Sequence, residues 1–107
     1  MKLLITLFII TVTLNANIED GKDVYAQNCA NCHSTQMKGG MGKDFNLVSY
    51  TRKKEDIVKY IREPSRMFRK FGYSSNAMPT LPLTEQEISD VSEYIDSLQT
   101  FKKWMIK

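Results

Sequence analysis

This sequence predicts an all-α fold of three to four helices, and three observations carry that expectation. No stretch of the chain keeps the period-2 alternation that a half-buried strand requires. Ile88, Val91, Tyr94, Ile95 and Leu98 instead recur at helical spacing, with Glu85, Asp90, Glu93 and Asp96 on the opposite face. Thr84, followed three residues later by Glu87, gives that stripe a capping box, and Leu83 is placed to close over Ile88 as a hydrophobic staple.

A chain of 107 residues, 42% hydrophobic and 25% charged, is sized for one domain. Its first residues stand apart from that domain. Lys2 is followed by an unbroken apolar and threonine run, Leu3 to Leu14, and then by the small residue Ala16, which is the layout of a secretory leader. The run of 12 residues is shorter than the ~20 needed to span a bilayer as a helix, so removal after Ala16 is expected and a permanent membrane span is not. Residues 1–16 therefore read as a leader and 17–107 as the exported domain, with its core over about 19–99 and a short basic and aromatic tail over 100–107. Export places the domain in the periplasm, an oxidising compartment where a bare cysteine pair closes unless something else claims it. A domain of this size buries only about 60–65% of its unfolded surface, so a buried cofactor would stabilise it substantially.

Along the exported part, Gly21 to Cys29 holds no turn signal, and Tyr25, Cys29 and His33 stand four apart on one side of a predicted first helix. Met37 to Gly42 contains three of the five glycines and is a loop. Thr51 is the expected cap of a second helix, with Glu55 and Asp56 near its positive end, Ile57, Val58 and Ile61 on one face, and Pro64 as its stop. Residues 65–83 show no sustained period, yet their Met, Phe, Tyr and Leu content argues for a packed, functional loop. The capped stripe from Thr84 to Leu98 is the last predicted helix.

The chemistry is concentrated in Cys29-Ala30-Asn31-Cys32-His33. A redox-active pair of the thioredoxin kind would follow a strand and open a helix, whereas this motif ends a helical pattern. Zinc requires four ligands, and the chain has two cysteines and one histidine in all. Cys-x-x-Cys-His is the attachment signature of covalent c-type haem. Cys29 and Cys32, one helical turn apart, then form thioethers to the two porphyrin vinyl groups, and His33 supplies an axial nitrogen to the iron.

The second axial position decides the task. A Met thioether there closes the iron and raises its potential. Met37 and Met41 follow His33 too closely to reach the opposite haem face, Met105 lies in the tail, and Met67 follows a proline-ended helix. Met78 is held extended by Pro79, on an apolar loop tethered at both ends by helices, and is the expected sixth ligand.

With these residues in place the chain resembles the class I c-type cytochromes, from Gly21 to about Leu98. Gly21 and Tyr25 resemble the family's first helix, which crosses its last helix where Val91 and Tyr94 stand. Met78-Pro79-Thr80-Leu81-Pro82-Leu83-Thr84 resembles its ligand loop. The resemblance implies the cytochrome c fold wrapped around one haem c, with His33 and Met78 on the iron. Many members carry a Gly-Pro pair after the haem motif whose carbonyl orients the histidine; here the pair is Gly42-Lys43, and a nearby carbonyl is expected to serve. The family's propionate-binding tryptophan has no counterpart before Trp104, and Tyr50 or Tyr60 is the expected substitute.

Charge points to partners. Residues 52–70 hold eight basic side chains (Arg52, Lys53, Lys54, Lys59, Arg62, Arg66, Arg69 and Lys70) against three acidic ones, and residues 85–96 hold five acidic and no basic ones. The Arg52–Lys70 segment is expected to dock on the acidic surface of a redox protein, since a charged patch speeds encounter without making a tight complex. Export and the lack of a recognition motif exclude nucleic acid. The tail from Phe101 to Lys107 mixes bulky apolar and basic residues, suited either to touch a membrane peripherally or to cover the domain. The expected protein is a monomeric one-electron carrier and not an enzyme. Two alternatives stay open: a haem-based sensor with a labile sixth ligand, and an electron-donating haem subunit of a larger respiratory complex.

Overall fold

The computed structural model describes residues 15–106, so the predicted leader falls almost wholly outside the described residues, as does Lys107. The described chain forms five α-helices and a closing 3-10 turn, with no strand among them: α1 (Ile18–Asn28), α2 (Phe45–Thr51), α3 (Lys54–Arg62), α4 (Pro64–Met67), α5 (Glu85–Ser97) and the turn Lys103–Met105. None of these helices is long and apolar enough to cross a membrane.

Three of the helices begin with a side chain that replaces missing backbone partners, α1 and α5 among them. Asn17 Oδ1 accepts the N–H groups of Glu19 and Asp20 at 2.9 and 3.2 Å, and those two acidic residues sit at the positive end of α1. At α5 the expected capping box is complete: Thr84 Oγ1 accepts from Glu87 N at 3.1 Å, and Glu87 Oε1 accepts from Thr84 N at 2.9 Å.

The crossing of α1 and α5 is the centre of the fold. Gly21 lies against α5 so closely that a Cβ there would stand 2.6 Å from the Asp90 carbonyl carbon, nearer still to its oxygen, and 2.9 Å from Tyr94 Cβ. Asp90, buried at this crossing, accepts from Asn17 N and Gln86 Nε2, each at 2.9 Å, so its carboxylate is not left without donors. Val24 of α1 and Ile88, Val91 and Ile95 of α5 form the core with Phe45, Ile57 and Ile61 from the middle helices. Leu83 packs against this cluster.

The middle of the chain departs from expectation. Residues 45–51 form a helix that the sequence pattern did not announce, capped by Asp44, whose Oδ1 accepts from Asn46 N at 2.8 Å. Thr51 therefore ends α2, its hydroxyl donating back to Leu47 O at 2.8 Å, and Lys53 stands at the start of α3 without a side-chain cap. Pro64 does end α3, but it also opens the short α4 as its first residue, where its missing N–H removes no bond.

Ion pairs tie α3 to α5. Lys54 pairs with Glu93, and Arg62 makes a two-pronged contact with Glu85 at 3.1 and 2.6 Å. Two of the eight cations expected to face a partner thus neutralise acidic residues of the chain's own last helix. The opposed charges of residues 52–70 and 85–96 are partly spent on each other.

Candidate haem-binding cavity

Cys29 closes α1, its N–H donating to Tyr25 O at 2.9 Å, and one further turn brings His33 N to Cys29 O at 2.9 Å. The Tyr25 hydroxyl spans the motif and donates to His33 O at 2.8 Å. Tyr25, Cys29 and His33 therefore stay aligned although the helix itself ends at Asn28. The two cysteines form no disulfide with each other, and Cys29 is buried while Cys32 is half-buried. Burial, and next the neighbouring Cys32, pushes the Cys29 thiol up to about 11. A redox-active pair depends on the opposite shift, towards thiolate.

The glycine-rich loop folds back over this motif. Gly42 N donates to Cys32 O at 2.8 Å, and a Cβ at Gly40 would stand 2.6 Å from that same oxygen. Asp44 holds the loop's far end by accepting from Met37 N at 2.7 Å. Although partial burial works against it, the N–H groups of Asn46 and Met37 hold the Asp44 carboxyl below the usual carboxylate range.

The loop also fixes the histidine. Gly42 crosses flat against the imidazole, where a Cβ would stand 2.6 Å from Nε2, and Lys43 O lies 2.8 Å from Nδ1. A carbonyl only accepts, so Nδ1 carries the proton and Nε2 keeps its lone pair, the form in which imidazole binds iron. Phe45 stacks on the opposite side, ring centres 4.3 Å apart and 21° from parallel. The residue that replaces the family's proline thus supplies the carbonyl from its own backbone.

Cys29, Cys32, His33 and Met78 all line one cavity of about 510 Å³, within the size range of cofactor sites. Val48, Ile57, Ile61 and Ile95 make part of its wall apolar, and Met78 itself is half-buried against the core cluster. Tyr60, Phe71 and Tyr73 form an aromatic group on the wall, with Tyr60 to Phe71 centres 4.8 Å apart and Tyr60 to Tyr73 centres 5.6 Å apart. Of the two tyrosines expected near a propionate, Tyr60 lines the cavity and Tyr50 is not among its lining residues. Burial, and then Tyr73, raises the Tyr60 hydroxyl above its ordinary value, keeping it a neutral donor.

Arg52 is a cavity residue that sequence reasoning had assigned to a docking surface. Its guanidinium stacks 4.3 Å from the Phe71 ring centre and donates to Phe71 O at 2.8 Å. Phe71, which holds it, lies 19 positions along the chain, so no local pattern marks it.

The donor set fits a covalently attached haem: two thiols beside an imidazole with a free Nε2, and a thioether on a mainly apolar wall. Among the described residues no group of three or more His, Cys, Asp or Glu side chains is placed to hold a metal ion.

Comparison with known proteins points the same way. The family model described as Cytochrome c matches residues 18–99. The chain is 34% identical to a cytochrome c6 of Cladophora glomerata over 93 residues, covering 81% of this chain and 94% of that one. It is 32% identical to a cytochrome c6 of a Synechococcus species over 103 residues, 94% of this chain and 86% of that one. A cytochrome c6 of Thermosynechococcus vestitus is 31% identical over 94 residues, 85% and 78% of the two chains. No solved structure matches the chain.

Proposed function

The chain belongs to the cytochrome c family, whose members bind one covalently attached haem c and carry electrons without catalysing a reaction of their own, and from this we propose its ligands, location and partner surface. Cys29 and Cys32 hold the haem as thioethers, and His33 and Met78 are the axial ligands. The observation that carries this reading is the shared cavity of these four side chains, with His33 Nδ1 tied to Lys43 O at 2.8 Å.

Haem supplies a one-electron Fe(III)/Fe(II) couple, and the protein's residues set its conditions. The Lys43 carbonyl fixes the imidazole tautomer and strengthens it as a donor. The Met78 thioether keeps other molecules off the metal and favours the reduced state. Apolar side chains on the wall exclude water, which limits reorganisation when charge changes. Arg52 and Tyr60 are the lining groups suited to receive propionates, one by charge and the other as a neutral donor.

The location is periplasmic after removal of residues 1–16, and the molecule works as a monomer. Partners are redox proteins with an acidic face. With Lys54, Arg62 and Arg66 engaged within the chain and Lys53 beside Trp104, the cations left for them are Lys59, Arg69 and Lys70, all exposed. Mass spectrometry of the exported protein after thiol alkylation tests the attachment: one haem, no alkylated cysteine and an N-terminus at Asn17 are expected. Two alkylated thiols on a matured chain would refute it. Electron transfer that does not slow with added salt would refute the charged docking surface.

A further inference from the structure

The tail was expected either to cover the domain or to touch a membrane, and its side chains divide between two roles. Lys102 is only 6% exposed. Its ammonium donates to Ser49 O at 2.8 Å, Ser49 Oγ at 2.9 Å and Asp96 O at 2.7 Å, and lies 3.1 Å from Asp96 Oδ1. These carbonyls belong to the C-terminal ends of α2 and α5, where a cation is favoured. Lys102 therefore fastens the tail across two helix ends.

Its neighbours turn outward. Phe101 is 68% exposed, Trp104 45%, Met105 53% and Ile106 63%. Single exposed apolar residues are ordinary, but four among six consecutive positions on a fastened segment form a patch. The 3-10 turn packs on α2, where Leu47 is also exposed. Leu47 lies on the helix face away from Phe45 and Val48, which line the haem cavity. The patch thus sits behind the cavity and not at its mouth.

Basic side chains flank the patch, and Asp96 at the base of the tail is already paired with Lys102. Lys103 is exposed in the turn, the Lys53 ammonium lies 5.9 Å from the Trp104 ring centre, and residues 97–106 and α2 contain no acidic side chain. A stable protein partner takes about 20–30 residues a side, whereas this tail segment offers six. A lipid layer asks less: aromatic rings at the headgroup level, aliphatic side chains below it, and lysines beside the phosphates.

We propose that the fastened tail, with Phe101, Trp104, Met105 and Ile106 as inserting groups and Lys53 and Lys103 as phosphate contacts, attaches the protein peripherally to anionic membranes. If the electron-carrier reading holds, attachment confines the carrier to the membrane plane with its haem cavity still free. Lipid binding itself does not depend on that reading.

Sedimentation of the matured, haem-loaded protein with phosphatidylcholine vesicles, with and without phosphatidylglycerol, is the test. Bound protein is quantified by gel, and the haem spectrum is recorded separately, so loss of haem and loss of lipid binding are told apart. Binding to the anionic vesicles at least tenfold stronger than to neutral ones is expected. The double variant Phe101→Ser, Trp104→Ser is expected to lose at least tenfold in binding with its Tm unchanged. The pair Lys53→Gln, Lys103→Gln, which leaves all apolar groups in place, is expected to lose the preference for anionic lipid. Parent and variants partitioning alike overturns the proposal. So does a lowered Tm in the serine variant, which would make the tail a cover for the domain. A lipid-free dimer that the serine variant abolishes would assign the patch to a second copy instead.

Discussion

Gly21→Ala sets two physical effects against each other at the α1–α5 crossing. In an exposed helix interior, alanine in place of glycine stabilises by about 1 kcal/mol. At Gly21 the new methyl group would meet the Asp90 carbonyl carbon at 2.6 Å and Tyr94 Cβ at 2.9 Å, where ordinary contact begins near 3.4 Å. The carbonyl is backbone and cannot swing aside, so α1 and α5 must part by most of an ångström. Overpacking of that kind costs about 1–3 kcal/mol, occasionally more. Parting the helices also stretches the bond that Asn17 N makes across the crossing to the buried Asp90 carboxylate, worth about 1.5–3 kcal/mol for a charged acceptor. With half of one such bond lost, the net destabilisation after the propensity gain is about 2 kcal/mol, or a fall in Tm of ~8–16 °C for a domain this size. Thermal unfolding followed by circular dichroism measures it. Gly72→Ala is the control, since at φ +82° with nothing within 4 Å it meets backbone strain alone. A Gly21→Ala protein as stable as the parent, or more so, would refute the close crossing.

Three further outcomes are expected. Gly42→Ala pushes the loop off the imidazole and breaks the His33 to Lys43 bond, with a loss of about 2–3 kcal/mol on guanidinium unfolding and a reduction potential shifted upward because the imidazole becomes a weaker donor. Lys102→Met removes the donor shared by Ser49 and Asp96 and is expected to lower unfolding stability by about 3 kcal/mol, the range for breaking a buried pair. Asp44 has a lowered pKa in the folded protein, so its contribution is present above the unfolded value near 3.9 and is lost as pH falls through the folded one. The stability difference between the parent and Asp44→Asn, measured by unfolding from pH 6 downward, is expected to shrink below about pH 4.

Some local signals in the sequence were legible, and contacts between distant segments were not. Thr84 and Glu87 cap α5 as a three-residue pattern announces, and Cys29, Cys32 and His33 need no more than five adjacent positions. Met78 stands out in the sequence because Pro79 constrains its backbone, and its side chain lines the same cavity as the cysteines and His33. The helix Phe45–Thr51 escaped because seven residues rich in aromatic and β-branched types give no clear period, and its Asp44 cap stood beside a glycine-rich loop. Missing it misplaced Thr51 as a cap. Arg52 at the cavity wall and Lys102 beneath Ser49 each join segments far apart in the chain, and no periodicity records such pairs. The ion pairs from α3 to α5 are of the same kind, which is why the basic segment seemed freer than it is.

The visible and near-infrared spectrum of the matured protein, oxidised and reduced, with carbon monoxide added to the reduced form, tests the central claim most directly. A weak sulfur-to-iron charge-transfer band that vanishes in Met78→Ala, with no carbon monoxide bound by the parent, is the expected result for an iron closed by His33 and Met78. A missing band with ready carbon monoxide binding in the parent would contradict the closed site and move a ligand-sensing role ahead of electron transfer.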